Sequence, residues 1–202
     1  MKLIWNGHSC FTLETVQGTV VLDPYADDYV PGLGALKLEA DRVLCSHGHR
    51  DHAAAEVVKL TGSLCTAKVE EIPTFHDEVQ GAKRGPNVIH IISAEGMRVV
   101  HCGDLGCEPE PEQLDRLKGA DVLLVPVGGF FTIDAGQAAR TAEAIGAPVV
   151  IPMHYRGKGF GYDKIGPAED FLALRSDVLR LETNALDPAA LQTPVTAVPA
   201  KP

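Results

Sequence analysis

No stretch of the 202-residue chain is apolar for the length a membrane span requires, and the opening MKLIWNGHSCF lacks the long hydrophobic core of an export signal. The expectation is a cytoplasmic protein with no membrane partner. Cations are scarce: 18 Lys and Arg stand against 27 Asp and Glu, a net charge of −9 with histidine neutral. With no basic, aromatic-studded arm either, a nucleic-acid partner is not expected. The cysteines, Cys10, Cys45, Cys65, Cys102 and Cys107, are odd in number and form no Cys-x-x-Cys pair. That argues against a disulfide framework and fits a reducing compartment. No internal repeat is visible. At this length, with 45% hydrophobic residues, one filled core is expected and two domains are not. A single domain is read over residues 1–186. Residues 187–202, rich in Ala and Pro, are read as a last short strand and a loose tail.

Short apolar runs at Lys2–Trp5, Cys10–Glu14 and Thr19–Asp23, separated by turns, predict an antiparallel meander. A loop over residues 23–34 leads to a short buried strand at Arg42–Cys45. A helix is expected over Ala53–Leu60 and strands over Leu64–Lys68 and Val69–Phe75. Val88–Ser93 and Arg98–Cys102 flank Glu95-Gly96 as a hairpin. The second half alternates helix and strand at Pro111–Leu117, Val122–Val127, Ala135–Ile145 and Val149–Met153. The fold class expected is therefore α/β, a sheet covered on its outer face by helices.

What the chain has in concentrated form is imidazole. The stretch CSHGHRDHAA places His47, His49 and His52 around Asp51, directly after the strand ending at Cys45. Open α/β sheets place ligands at such strand ends, and histidine is the commonest side-chain metal ligand. If the chain stays extended past Cys45, His47 and His49 converge on one point, while Asp51 and His52 face a second. His76 closes IPTFH, Asp104 closes VVHCGD and His154 closes VVIPMH, each after an apolar run. Three further strand ends carrying ligand-type residues support the cluster.

These phrases, with GHSCF, FHDEVQGAKRGPN, HCGDLG and LLVPVGGFFTIDA, resemble the metallo-β-lactamase fold superfamily up to about residue 180. The closer likeness is to small cytoplasmic metal-dependent hydrolases similar to the ascorbate-6-phosphate lactonase-like group. The resemblance implies a four-layer αββα sandwich with metals along one edge. It implies His47, His49 and His76 on a first ion, Asp51, His52 and His154 on a second, and Asp104 bridging them. Two features depart from the family pattern. Cys107 stands where relatives often carry a histidine, and the segment between His52 and His76 is too short for a lid. Access to the site is then open, or completed by a neighbouring subunit of a homo-oligomer.

Two ions about 3.5–4 Å apart can share a hydroxide and clamp a hydrolysable bond, so the expected activity is metal-dependent hydrolysis. Zn²⁺ is the first choice for nitrogen and carboxylate ligands, with Mn²⁺, Fe²⁺ or Ni²⁺ as alternatives. Four positive charges against Asp51, Asp104 and hydroxide leave about +1, which favours a small anionic substrate, a lactone or phosphodiester. Arg84 and Asn87 are candidates for an oxyanion clamp, and Tyr155 for lining the pocket. His8 is a candidate for proton transfer or for orienting a ligand carboxylate. His101 and His90 read as structural, and Asp134 as a helix N-cap. Two alternatives stand beside the hydrolase: a nuclease of the same fold, and a non-catalytic metal-binding scaffold.

Overall fold

The computed structural model describes residues 1–202. Its first strands are β1 (Lys2–Gly7), β2 (Cys10–Thr15), β3 (Gly18–Leu22), β4 (Leu38–Ala40), β5 (Arg42–Leu44) and β6 (Val58–Leu60). There follow β7 (Lys68–Phe75), β8 (Pro86–Ala94), β9 (Met97–His101), α1 (Pro111–Leu117), β10 (Val122–Pro126), α2 (Ala135–Ile145) and β11 (Val149–Met153). The chain closes with α3 (Ala168–Leu172), β12 (Val178–Arg180), β13 (Ala185–Leu186) and β14 (Val195–Val198).

Two sheets form the sandwich, ordered β13-β1-β2-β3-β5 and β12-β14-β11-β10-β9-β8-β7. Alternation along β2 and β3 decides which side chains enter between them. Phe11, Leu13, Val20 and Leu22 join the main core, while Cys10 and Val21 face outward into a smaller cluster with Tyr25, Val30 and Leu33. Strand β10 is buried along its whole length because α2 covers one face and the other sheet covers the second.

The helices pack on the seven-stranded sheet, and the outer layer on the five-stranded sheet is built differently. Where a helix was expected over Ala53–Leu60, only one turn of 3-10 helix forms, at Ala55–Val57, and Val58–Leu60 pairs in parallel with β4. The β-branched pair Val57-Val58 favours the extended chain, and the bond from the Ala54 amide to the Pro24 carbonyl prevents the helix from starting. The Leu64–Lys68 strand is also absent; β7 begins only at Lys68. The expected last short strand forms at Val195–Val198, and residues 199–202 beyond it have no helix or strand. Residues Val195–Val198 are buried and lie between β11 and β12, parallel to both. The strands expected at 122, 149 and in the 88–102 hairpin form within a residue or two of the predicted bounds, as do both main helices.

Candidate metal centre

Pairing directions explain why distant residues meet. Strands β1 and β3 run the same way because each is antiparallel to β2, and β5 is parallel to β3. In the other sheet β9, β10 and β11 are parallel, and β7 joins them through two antiparallel pairings. Seven C-terminal strand ends therefore open on one edge of the sandwich. His8 follows β1, Asp23 follows β3 and Ser46–His52 follow β5. His76 follows β7, Asp104 follows β9, Phe130 and Phe131 follow β10, and His154 follows β11.

The seven residues named as ligands from the sequence all lie there, in two groups. His47, His49 and His76 offer ring nitrogens within 4.8 Å of one another. Ring nitrogens of His8, His52 and His154 with a carboxylate oxygen of Asp51 lie as close together, and so do donor atoms of His47, His52 and Asp104, a set that joins the two groups. Asp104 stands between the groups. Its Oδ2 is 3.3 Å from Nε2 of His76, 3.9 Å from His47 and 3.2 Å from His154, and its Oδ1 is 3.2 Å from His52. The cluster is not made by an extended strand after Cys45. A turn in which the amides of His52 and Ala53 both donate to the His49 carbonyl sets the His47 and His49 rings edge to face, 4.7 Å apart.

Support behind these side chains went unread in the sequence. Asp23 is fully buried; its Oδ2 is 2.8 Å from His52 Nδ1 and accepts from Ser46 Oγ at 2.6 Å, while Oδ1 accepts from the Ser46 amide at 2.7 Å. Ser46 Oγ is in turn 3.0 Å from His47 Nδ1. This chain occupies the Nδ1 side of both rings and leaves their Nε2 atoms facing inward, the arrangement that fixes tautomer and orientation in metal-binding histidines. Asp104 is anchored through its amide, which donates to Asn87 Oδ1 at 2.9 Å. Gly103, at φ +57, permits that approach; a Cβ there would sit 2.4 Å from both Asn87 Oδ1 and Ser46 Cβ. His8 and His154 also take positive φ, 52° and 53°, a strain that residues at functional sites carry more often than others.

Burial pushes His47 down to about 3 and, helped by neighbouring His154, His8 down to about 4. Burial lowers His76 as well. These rings are neutral near pH 7, the form that ligates metal. Burial opposes ionisation of Asp104, but His154 and His52 beside it hold the carboxyl well below its usual range. His52 is raised against the effect of burial by Asp104 and Asp23. Both nitrogens of His8, Nε2 of His47 and His52, Nδ1 of His76 and His154, and Oδ1 of Asp104 are buried with no hydrogen-bond partner. Unsatisfied buried polar atoms cost roughly 1–3 kcal/mol each, so this concentration of unpartnered donor atoms around Asp104 fits a cation, which would take the place of the His52 proton. The nitrogen and carboxylate donor set suits zinc and its first-row neighbours.

Above the donors lies a cavity of about 350 Å³, floored by His49, Asp51, His76 and Asp104 and walled by Tyr29, Arg84, Phe131 and Tyr162. Arg84 reaches it as expected, with Nη2 donating to the Phe130 carbonyl at 2.9 Å and the guanidinium over the Phe131 ring. Asn87 does not. Its amide donates to Thr74 Oγ1 and the Cys102 carbonyl while its oxygen holds Asp104, so the side chain is fully engaged between the sheets. Tyr155 is also a core residue, stacked on Trp5 at 5.6 Å and packed against Phe160. From this part of the chain it is Tyr162, seven positions on, that faces the cavity. Cys107 is half-buried and does not line the cavity. His101 ties the sheets together, donating from Nε2 to the Ser9 carbonyl and accepting the Gly103 amide at Nδ1.

The β-lactamase superfamily domain matches residues 2–154. A UPF0173 metal-dependent hydrolase of Methanoculleus marisnigri is 32% identical over 77% of this chain and 81% of its own length. Another, from Methanospirillum hungatei, is 27% identical over 93% and 96%. Among solved structures, a chain from Thermotoga maritima classed with Zn-dependent hydrolases of the metallo-β-lactamase superfamily superposes with a TM-score of 0.77. It is 32% identical, covering 98% of this chain and 97% of that one.

Proposed function

Since the chain belongs to the β-lactamase superfamily and is a metal-dependent hydrolase, we propose that it works with two divalent ions on a small anionic lactone or phosphodiester. The observation that carries the dinuclear reading is the place of Asp104, whose two oxygens face imidazoles of both donor groups. His47, His49 and His76 would hold one ion, and Asp51, His52 and His154 the other, with Asp104 shared. Zinc is the preferred metal for this donor set. When bound, such a pair supplies an acidified water and a Lewis acid for the oxygen of the scissile bond.

The chain's own residues do the rest. Asp23 and Ser46 hold His52 and His47 with their Nε2 atoms inward. His8, kept neutral by burial, stands 3.5 Å from the Asp51 carboxylate, placed to orient it and not to donate a proton near neutral pH. The cavity suits a compact substrate, since about 350 Å³ lies at the low end for small-molecule sites. Arg84 is the only cationic side chain on its wall and gives the preference for an anion. Turnover of bis(p-nitrophenyl) phosphate and of a small lactone by protein loaded with Zn²⁺ or Mn²⁺ tests the reading. Activity lost to a chelator and restored by metal supports it; metal-loaded protein inert towards every phosphodiester and lactone tried would contradict it.

A further inference from the structure

Between His76 and Pro86 the chain makes a loop with no helix or strand of its own, and one carboxylate organises it. Asp77 is 1% exposed, and its Oδ1 accepts the amides of Val79 and Gly81 at 2.9 and 2.8 Å. Its Oδ2 accepts the amides of Lys83 and Arg84 at 2.9 and 2.7 Å. Four backbone donors on one buried carboxylate leave the loop few ways to move. The Gly85 amide closes on the Gly81 carbonyl at 2.9 Å, and the Gly106 amide binds Phe75 alongside. A Cβ on Gly106 would meet the backbone of His76 and Asp77 at 2.2 and 2.1 Å, so this packing accepts only glycine.

The loop ends on Arg84, whose guanidinium is fixed a second time by the Phe130 carbonyl and the Phe131 ring. Arg84 shares the cavity with Asp51 and Asp104 yet forms an ion pair with neither, nor with any other carboxylate. An immobilised, half-buried cation with no counter-ion, standing off from the donor floor, is a receptor for an oxyanion. We propose that Asp77 is a positioning residue which, by closing residues 77–84 into a rigid loop, presents Arg84 to a substrate anion distinct from the bond being cleaved. The substrate class is then a bifunctional one, with a hydrolysable group on the floor and a carboxylate or phosphate at the wall. This deepens the hydrolase reading and rests on its choice of cavity.

Binding decides it without turnover. Succinate, glutarate and adipate are each paired with the mono-amide of the same length, and their affinities for the metal-loaded protein are measured by calorimetry. One end occupies the floor in both members of a pair, and the other end is an anion or its neutral isostere. At the best-fitting length the dicarboxylate should bind about tenfold tighter. Arg84→Gln should bring the ratio close to one, and Asp77→Asn should lower it in the parent but leave it unchanged in the Arg84→Gln background, since coupled sites are non-additive. Equal ratios in parent and Arg84→Gln, or an undiminished Asp77→Asn effect in that background, would overturn the proposal. Should Asp77→Asn fail to fold, amide exchange in the parent replaces it. Slow exchange at Gly81, Lys83 and Arg84 is expected, and exchange at free-loop rates would overturn the positioning role. A retained ratio with no turnover sinks the hydrolase reading alone; turnover without a ratio sinks this inference alone.

Discussion

Asp104 is the single carboxylate that faces imidazoles of both donor groups. Its charge offsets the repulsion of two cations, worth roughly 4 kcal/mol for unit charges 4 Å apart at an effective dielectric of about 20. Asp104→Ala should therefore bind one zinc nearly as the parent does and the second about 100-fold or more weakly, with turnover falling in step. Calorimetric titration checks this, and two equally tight sites in the variant would show that Asp104 does not bridge. At this scale the ligand-type residues were legible because His76, Asp104 and His154 each close an apolar run and the others are clustered directly after one, a pattern that survives without any knowledge of pairing. Their supports were not. Asp23 precedes Pro24 and reads as a turn residue, and only the parallel pairing of β3 with β5 brings it to His52. Asn87 misled because its place in a polar loop phrase says nothing of its inward-facing position on β8. Tyr162 carries no local signal: it reaches the cavity from a Gly-rich loop whose path depends on contacts such as the Gly161 amide on Pro31.

Among the elements, those with local signals were readable. Helix α2 is an example: Asp134 accepts the Gln137 amide at 2.8 Å, Gln137 returns a bond to the Asp134 amide at 3.0 Å, and Gly146 ends the helix at φ 71°. Asp134→Ala should cost about 1 kcal/mol in urea denaturation and leave metal affinity unaltered, because the cap lies outside the donor set. A loss of metal in that variant would show that α2 is coupled to the centre. Elements whose form depends on partners were not readable. Ala53–Leu60 has a helical composition, but β4 offers it a strand partner and the preceding turn is pinned at Pro24. The strand at Val195–Val198 was readable only as a last short strand; its place between β11 and β12, parallel to both, depends on those partners.

The molecule as a whole concentrates buried imidazole, and this makes its stability depend on pH. In the metal-free protein burial lowers His47 to about 3 and His8 to about 4, and it also lowers His76, His90 and His101. Unfolding returns these rings to about 6.5. Between about pH 6.5 and 4 the unfolded chain binds protons that the folded chain does not, so stability must fall with pH across that window. His52 acts in the opposite sense: its raised pKa contributes stability below about 6.5 that is lost as pH rises through its folded value. Below about pH 6.5 His52 is protonated in both folded and unfolded chains, so it does not reverse the trend in that window. The urea midpoint of chelator-treated protein should drop between pH 7 and pH 4.5, and a midpoint constant across that range would contradict the burial of these histidines. The central claim, two metal ions held by one shared carboxylate on the edge of a β-sandwich, is tested most directly by counting them. Titration of metal-free protein with Zn²⁺ at neutral pH, followed by calorimetry and elemental analysis, should end at two ions per chain with release of protons, mainly from His52. Saturation at one ion, or no binding at all, would contradict it.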